Sequence, residues 1–195
     1  MNEPTDIELV RAEALRKLGR NIVKFSKIEA GFKHLLAISQ IRGNPKNISD
    51  QFRKNQSRLS KQTLGSLVQE FNKNIMGETN RTELIEDISE SEIYLSFKIY
   101  YNNPEFLKAQ KCELSNIVFE RNRLLHQDLA LLNTTSIEDY RNLIVLLDKQ
   151  NPRLLDRLEK LRWMFEVLGE SWKELESLLK SSDFREHIQA NETDA

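Results

Sequence analysis

Cysteine and histidine are scarce in this chain, and their scarcity excludes two classes of site. Cys112 is the single cysteine, so no intramolecular disulfide can form. Because His34, His126 and His187 are the only histidines, no group of residues has the composition or spacing of a zinc site. We therefore expect no metal and no cofactor, and the lone thiol suits a reducing compartment, the cytoplasm.

Glycine, proline and long apolar runs are also rare. The 195 residues include only 6 Gly and 4 Pro, whereas 30% are charged, which favours helices with charged faces over a turn-rich β-sandwich or barrel. The longest aliphatic run, residues 143–147, is too short to cross a bilayer. A net charge of -1 provides no overall basic field, so any polyanion site must be local. These features predict a mainly α protein without a membrane partner.

Apolar periodicity predicts an antiparallel bundle of about five helices. One helical domain is expected over residues 1–188, followed by a flexible polar tail over 189–195. The expected helices cover residues 6–41, 64–75 and 104–132, and two further helices begin near residues 136 and 152.

Three local signals mark where helices begin. Pro104 and Pro152 each follow an asparagine, a pair typical of an N-cap and a first helical residue. Ser136, with Asp139 three residues later, predicts a side-chain cap for the fourth helix. The Pro152 signal therefore predicts a break between the fourth and fifth helices.

Residues 93–101 alternate apolar and polar side chains, which is the period of a β-strand. A single strand is unstable in water. We expect it to pair with residues 84–88, as a small β-hairpin inserted before the third helix.

Residues 42–61 form a basic segment in which the helical pattern lapses. This stretch contains six Lys and Arg residues and a single acidic residue, Asp50. Two interpretations stay open: a solvated loop, or a loop that grips phosphate. The second interpretation makes RNA the partner, with four expected contacts: Arg53, Lys54, Arg58 and Lys61.

The last helix carries a long apolar stripe from Leu154 to Leu179, with alternating spacings of four and three. Such spacing is typical both of a bundle core and of a coiled-coil dimer seam. The sequence leaves these two interpretations open.

The third helix contains a candidate chemical site. Arg121 projects into the apolar stripe of this helix, while Asn122 and His126, four residues apart, lie on its flank. A guanidinium among leucines needs an anion, because a buried unpaired charge is costly. Glu29 and Asp128 are the expected supporting carboxylates.

The run R-N-R-L-L-H, from Arg121 to His126, resembles the signature of HEPN domains. These domains are helical bundles, and many are metal-independent ribonucleases of toxin–antitoxin, phage-defence and RNA-processing systems. The resemblance implies that Arg121 and His126 are catalytic and that Asn122 takes the polar position after the arginine. A weaker resemblance, to bacterial HEPN proteins associated with OST-HTH/LOTUS domains, is carried by L-R-K-L-G-R-N-I-V-K-F at residues 15–25.

RNA cleavage by the 2′-hydroxyl needs a base, an acid and a positive charge beside the phosphorane. His126 is the only motif histidine of each chain, so a base and an acid acting together predict a homodimer with one composite site. The expected product carries a 2′,3′-cyclic phosphate.

In HEPN toxins whose antitoxins are small nucleotidyltransferases, a tyrosine lies two residues after the motif histidine, and the antitoxin modifies that tyrosine by nucleotide transfer. Asp128 occupies this position here. That mode of silencing is therefore not expected here, and an antitoxin or regulatory protein is only a possible partner. Two other functions stay open: a catalytically inactive HEPN-like adaptor that recruits a partner through the stripe, and a nucleotide-binding regulator.

Overall fold

A computed structural model describes residues 5–43, 47–78 and 93–181. The chain is mainly helical, as the sequence predicts. The five helices are α1 (Asp6–Ser39), α2 (Ile48–Ser60), α3 (Leu64–Asn74), α4 (Pro104–Arg123) and α5 (Ile137–Lys180). A π-helical turn, Leu124–Asp128, directly follows α4. The strands are β1 (Gln40–Gly43), β2 (Met76–Glu78), β3 (Ile93–Ser96) and β4 (Ile99–Tyr101).

Two of the predicted helix starts are confirmed by their hydrogen bonds. Asn103 caps α4, because its Oδ1 accepts from the backbone N–H groups of Glu105 and Phe106 at 2.9 and 3.2 Å. Pro104 then occupies the first turn, where a missing N–H costs nothing. Ser136 Oγ accepts from the backbone N–H of Asp139 at 3.1 Å, immediately before α5.

The expected break at Pro152 is wrong, because α5 runs through Pro152 without interruption. The proline lacks an N–H and disrupts one helical turn, which ordinarily costs about 3 kcal/mol. Buried side chains on both sides, Leu147 and Leu154, keep the helix packed across that defect. Lys24 of α1 also donates a hydrogen bond to Asn151 Oδ1, so the residue expected to cap a new helix binds α1 instead.

The prediction that residues 42–61 form a loop is also wrong over most of this segment. Residues 48–60 form α2, which is held by buried Leu59 and half-buried Phe52. These two side chains are seven residues apart and therefore share one helix face. Because α2 is added and the expected fourth and fifth helices are one, the total of five helices arises from two compensating differences.

The strands pair differently from the predicted hairpin. Antiparallel β1 and β3 pair in a register that places Ile41 opposite Leu95, and parallel β2 and β4 place Met76 opposite Ile99. The predicted single strand over 93–101 is thus two short strands in two sheets. The partner expected for it, residues 84–88, lies outside the described residues.

The chain divides into two compact units, residues 1–158 and residues 159–195. In the first unit α1 packs against α2 and α3, and α3 packs against α4. The rings of Phe32 and Phe71, both buried, meet edge to face with centroids 5.1 Å apart. Such burial of large apolar side chains is the main source of stability in a helical core.

The second unit contains the described part of α5 after residue 158. Leu161, Met164 and Leu168 are buried there, at spacings of three and four. Trp163, on another face, is 52% exposed. Three residues of the predicted stripe are buried, namely Leu154, Leu161 and Leu168, while four are half-buried, namely Leu158, Phe165, Trp172 and Leu175.

Two buried polar contacts tie α5 to its neighbours within the first unit. Asn21 of α1 is fully buried, and its Nδ2 donates to the Leu147 carbonyl at 2.9 Å and to Gln150 Oε1 at 3.0 Å. Arg157 of α5, 2% exposed, donates to Glu113 of α4 at 3.1 Å. None of the described helices is long and apolar enough to cross a bilayer.

Candidate active site

The motif residues lie at the carboxyl end of α4 and in the π turn that follows. The buried side chains of α4 and the turn are Leu107, Gln110, Leu114, Ile117 and Leu124. Arg121 stands between Ile117 and Leu124, at spacings of four and three, so it continues the buried series. Its side chain is half-buried, which leaves part of it in contact with water.

Two ion pairs hold the motif helix against α5. Arg153 Nη2 lies 2.6 Å from Glu120 Oε1, and Arg157 Nη2 lies 3.1 Å from Glu113 Oε2. Glu120 directly precedes Arg121, and its side chain is only 19% exposed. Sequence reasoning missed these positioning contacts, because ion pairs between distant segments leave no local spacing signal.

The π turn changes where His126 points relative to Arg121. The backbone N–H of Leu129 donates to the Leu124 carbonyl at 3.1 Å, a bond across five residues. In a regular α-helix, five steps would place Arg121 and His126 about 140° apart around the axis. A π turn holds more residues per turn, so it narrows this angle and brings both side chains toward one side. Such turns occur frequently at functional sites.

The flank of the motif helix faces solvent. Asn122 and His126 are both exposed, and Phe119, three residues before Asn122, is 60% exposed. Arg121 Nη1 donates to Asn122 Oδ1 at 3.1 Å. The contact holds the guanidinium beside the exposed flank, so Asn122 positions Arg121 in this structure.

Neither carboxylate expected to support Arg121 contacts it. Glu29 of α1 accepts a hydrogen bond from Lys33 Nζ at 2.8 Å, one turn along the same helix. Asp128 accepts from Arg123 Nε at 3.2 Å, within the motif segment. In the described ranges, Arg121 forms no ion pair with any carboxylate. Partial exposure explains why the charge is tolerated, since water solvates what no anion neutralises.

A cavity of about 340 Å³ opens beside the π turn. Its wall includes the Arg123–Asp128 ion pair together with Leu132, Leu143 and Leu146. The three motif side chains are not among the described residues that line it. The motif side chains are therefore separate from the described wall of this cavity.

The four residues expected to contact RNA lie on α2 and directly after it. Arg53 and Lys54 are exposed on α2, and Lys61 is exposed one residue beyond the helix end. Among the residues that the structure describes, Arg53 has a single long contact, to Asp50 at 3.8 Å.

Arg58 differs from the other three, because two short hydrogen bonds already pair it with a carboxylate. Its two terminal nitrogens donate to Glu70 of α3 at 2.9 and 2.6 Å. The paired carboxylate raises the pKa of Arg58, and the guanidinium lowers the pKa of Glu70. Arg58 therefore ties α2 to α3.

No family model, no curated protein and no solved structure matches the chain. Within residues 5–43, 47–78 and 93–181, no three His, Cys, Asp or Glu side chains are grouped so that they could hold a metal ion.

Proposed function

We propose that this protein is a metal-independent endoribonuclease of HEPN type that acts as a homodimer in the cytoplasm, in a toxin–antitoxin or phage-defence system. The observation that carries the proposal is the hydrogen bond from half-buried Arg121 to Asn122, which is exposed four residues before exposed His126. His126 lies in the π turn, four residues after Asn122, and Arg121 is held beside Asn122 by its hydrogen bond. Arg121 donates one described hydrogen bond, so most of its N–H groups remain available to a phosphate.

In the proposed reaction, one imidazole removes the proton of an RNA 2′-hydroxyl, whose oxygen then attacks the adjacent phosphorus. The bond from phosphorus to the 5′-oxygen breaks, and a second, protonated imidazole donates its proton to that leaving oxygen. Arg121 donates hydrogen bonds to the phosphoryl oxygens, which carry more negative charge in the phosphorane than in the substrate. The products are a 2′,3′-cyclic phosphate and a 5′-hydroxyl.

The homodimer follows from the number of imidazoles that this reaction needs. His126 is the only histidine in the motif of each chain, so the second imidazole comes from a second chain. A two-fold axis beside the exposed flank of α4 brings the two copies of His126 to one phosphodiester. Phe119, which is 60% exposed on that flank, supplies apolar surface for the contact.

RNA cleavage in EDTA tests the proposal. The purified protein should cut single-stranded RNA, should leave 2′,3′-cyclic phosphate ends, and should leave DNA intact, since DNA lacks the attacking hydroxyl. Arg121→Ala and His126→Ala should each lower the rate by at least about 100-fold, the range of a lost general base or charge donor. Asn122→Ala should lower it less, because it loosens Arg121 without removing it.

Matched controls separate these effects from general damage. His34→Ala removes an imidazole of α1, and Arg141→Ala removes an exposed guanidinium from α5. Both variants should keep wild-type cleavage. Undiminished cleavage by His126→Ala would reject the assignment.

The alternative function, a catalytically inactive adaptor, is supported by a different observation. Trp163 is 52% exposed and Leu178 is 55% exposed, both in the second unit. Exposed tryptophan is enriched at protein–protein contacts. The adaptor predicts no RNA cleavage by the wild-type protein, whereas the nuclease predicts that Trp163→Asp cleaves at the wild-type rate.

A further inference from the structure

A second, larger cavity lies away from the motif, where α1, β1, α2 and α3 meet. Its volume is about 450 Å³. Pockets that bind small molecules typically measure about 300–1,000 Å³. The space therefore exceeds what a lone inorganic anion needs.

The charge of its wall favours an anionic ligand. Arg42, Lys54 and Arg58 line the cavity, and Glu70 is the carboxylate among the described lining residues. Arg58 already neutralises Glu70, which also accepts a hydrogen bond from Gln62 at 2.9 Å. Lys54 has no carboxylate partner in the described part of the chain, so its ammonium group can bind an anion inside the cavity.

The uncharged residues that line this cavity suit a planar part of a ligand that can form hydrogen bonds. Phe52 of α2 and Tyr94 of β3 line the cavity and are half-buried, and each offers an aromatic surface. Asn55 and Asn74 also line it. The Asn55 Oδ1 accepts from Arg58 at 2.8 Å, which leaves its Nδ2 group to donate. Aromatic rings stack on nucleobases, and carboxamides donate to and accept from their edges.

We infer that this cavity binds a phosphorylated nucleoside, with the phosphate near Lys54 and the base beside Phe52 and Tyr94. Both a free mononucleotide and one nucleotide of an RNA strand present this chemistry. The inference does not depend on the proposed nuclease, because it concerns binding by residues outside the motif.

Calorimetric titration of the full-length His126→Ala protein tests the inference without cleavage of the ligand. The probes are 5′-AMP, 5′-GMP, the two unphosphorylated nucleosides, inorganic phosphate, and a tetranucleotide of single-stranded RNA. A mononucleotide should bind at least about tenfold more tightly than inorganic phosphate or its own nucleoside, because only it uses both parts of the cavity. Tighter binding of the tetranucleotide identifies RNA as the source, and tighter binding of the mononucleotide identifies a free ligand.

Added in the His126→Ala background, Lys54→Ala should weaken binding by about tenfold, the loss typical of one charge-assisted contact. Lys73→Ala is the matched control, because Lys73 lies on α3 next to Asn74 and does not line the cavity. Phe52→Ala should also weaken binding, and circular dichroism checks that α2 remains helical. The absence of nucleotide binding at millimolar concentration, or equal affinities of Lys54→Ala and Lys73→Ala, would overturn the inference. RNA cleavage in EDTA by the protein with native His126 reports separately on the nuclease.

Discussion

At the scale of single residues, Arg157 belongs to an ion pair that joins a buried charge to a half-exposed one. Its side chain is 2% exposed, its Nε atom is buried without a hydrogen bond, and burial lowers the pKa of its guanidinium. Glu113, its partner, is 48% exposed. The cost of removing water from the charge thus falls almost entirely on the arginine.

Replacing Glu113 and replacing Arg157 should lower the free energy of unfolding by unequal amounts. Glu113→Gln leaves a buried guanidinium less well paired and should lower the free energy of unfolding by about 1–2 kcal/mol. Arg157→Met removes the desolvated charge and leaves Glu113 in water, so its cost should be smaller. Urea unfolding measures both, with Glu159→Gln, on the same helix as Arg157, as the control. A loss for Arg157→Met that exceeds the loss for Glu113→Gln would contradict this explanation.

The Arg58–Glu70 pair predicts a pH dependence of stability. The two hydrogen bonds from Arg58 hold the pKa of Glu70 below its usual 4.5 in the folded protein. A depressed carboxyl pKa stabilises the fold above the unfolded pKa, and this contribution disappears as pH falls through the folded pKa. The stability difference between wild type and Glu70→Gln should therefore shrink in urea unfolding between pH 6 and about pH 3. A difference that stays constant over that range would contradict the assignment.

At the scale of elements, two of the three local helix-start signals are confirmed and the one at Pro152 is wrong, while the pairing of distant strands leaves no local signal. The cap by Asn103 and the cap by Ser136 depend on neighbouring residues, so spacing alone predicts them. The pairing of β1 with β3 joins Ile41 to Leu95, and nothing in either segment specifies the other. Helix α2 gives no clear helical period in the sequence, because its three apolar residues, Ile48, Phe52 and Leu59, are too few to display one.

Replacing Pro152 tests whether this residue begins a new helix or lies inside the continuous α5. At the first position of a new helix, proline is favourable and Pro152→Ala would be neutral or destabilising. Inside the continuous α5, the same change restores a backbone donor and should raise the free energy of unfolding by about 1–3 kcal/mol. Thermal unfolding measures the shift, with Lys149→Ala, at an exposed position of the same helix, as the control. A lower melting temperature for Pro152→Ala would contradict the continuous helix.

The motif shows which part of a site a sequence can predict. The sequence places Arg121 within an apolar stripe by helical periodicity, and in the structure it stands at helical spacing between buried Ile117 and Leu124. Two other features depend on packing and side-chain geometry, which the sequence pattern does not contain. They are the π turn that holds His126 and the hydrogen bond from Arg121 to Asn122. The ion pairs of Glu29 and Asp128 with neighbouring cations show that a charged partner nearby in sequence can compete successfully with one inferred from pattern.

At the scale of the whole molecule, the proposed chemistry requires two chains. Light scattering should give twice the 22.9 kDa chain mass at the concentrations used for cleavage. Phe119→Glu, on the exposed flank of α4, should shift the protein to one chain mass and reduce cleavage together with it. Leu9→Glu is the control, since Leu9 is also exposed, at 55%, but lies near the start of α1. Cleavage at the wild-type rate by a monomeric Phe119→Glu protein would contradict the composite site.

The most direct test of the central claim mixes wild-type chains with His126→Ala chains, lets subunits exchange, and measures RNA cleavage in EDTA. If each site needs one imidazole from each chain, an equal mixture should cleave at about half the wild-type rate per wild-type chain, because half of those chains then have an inactive partner. A rate per wild-type chain that does not change with added His126→Ala protein, or the absence of cleavage by the wild-type dimer, would contradict the account.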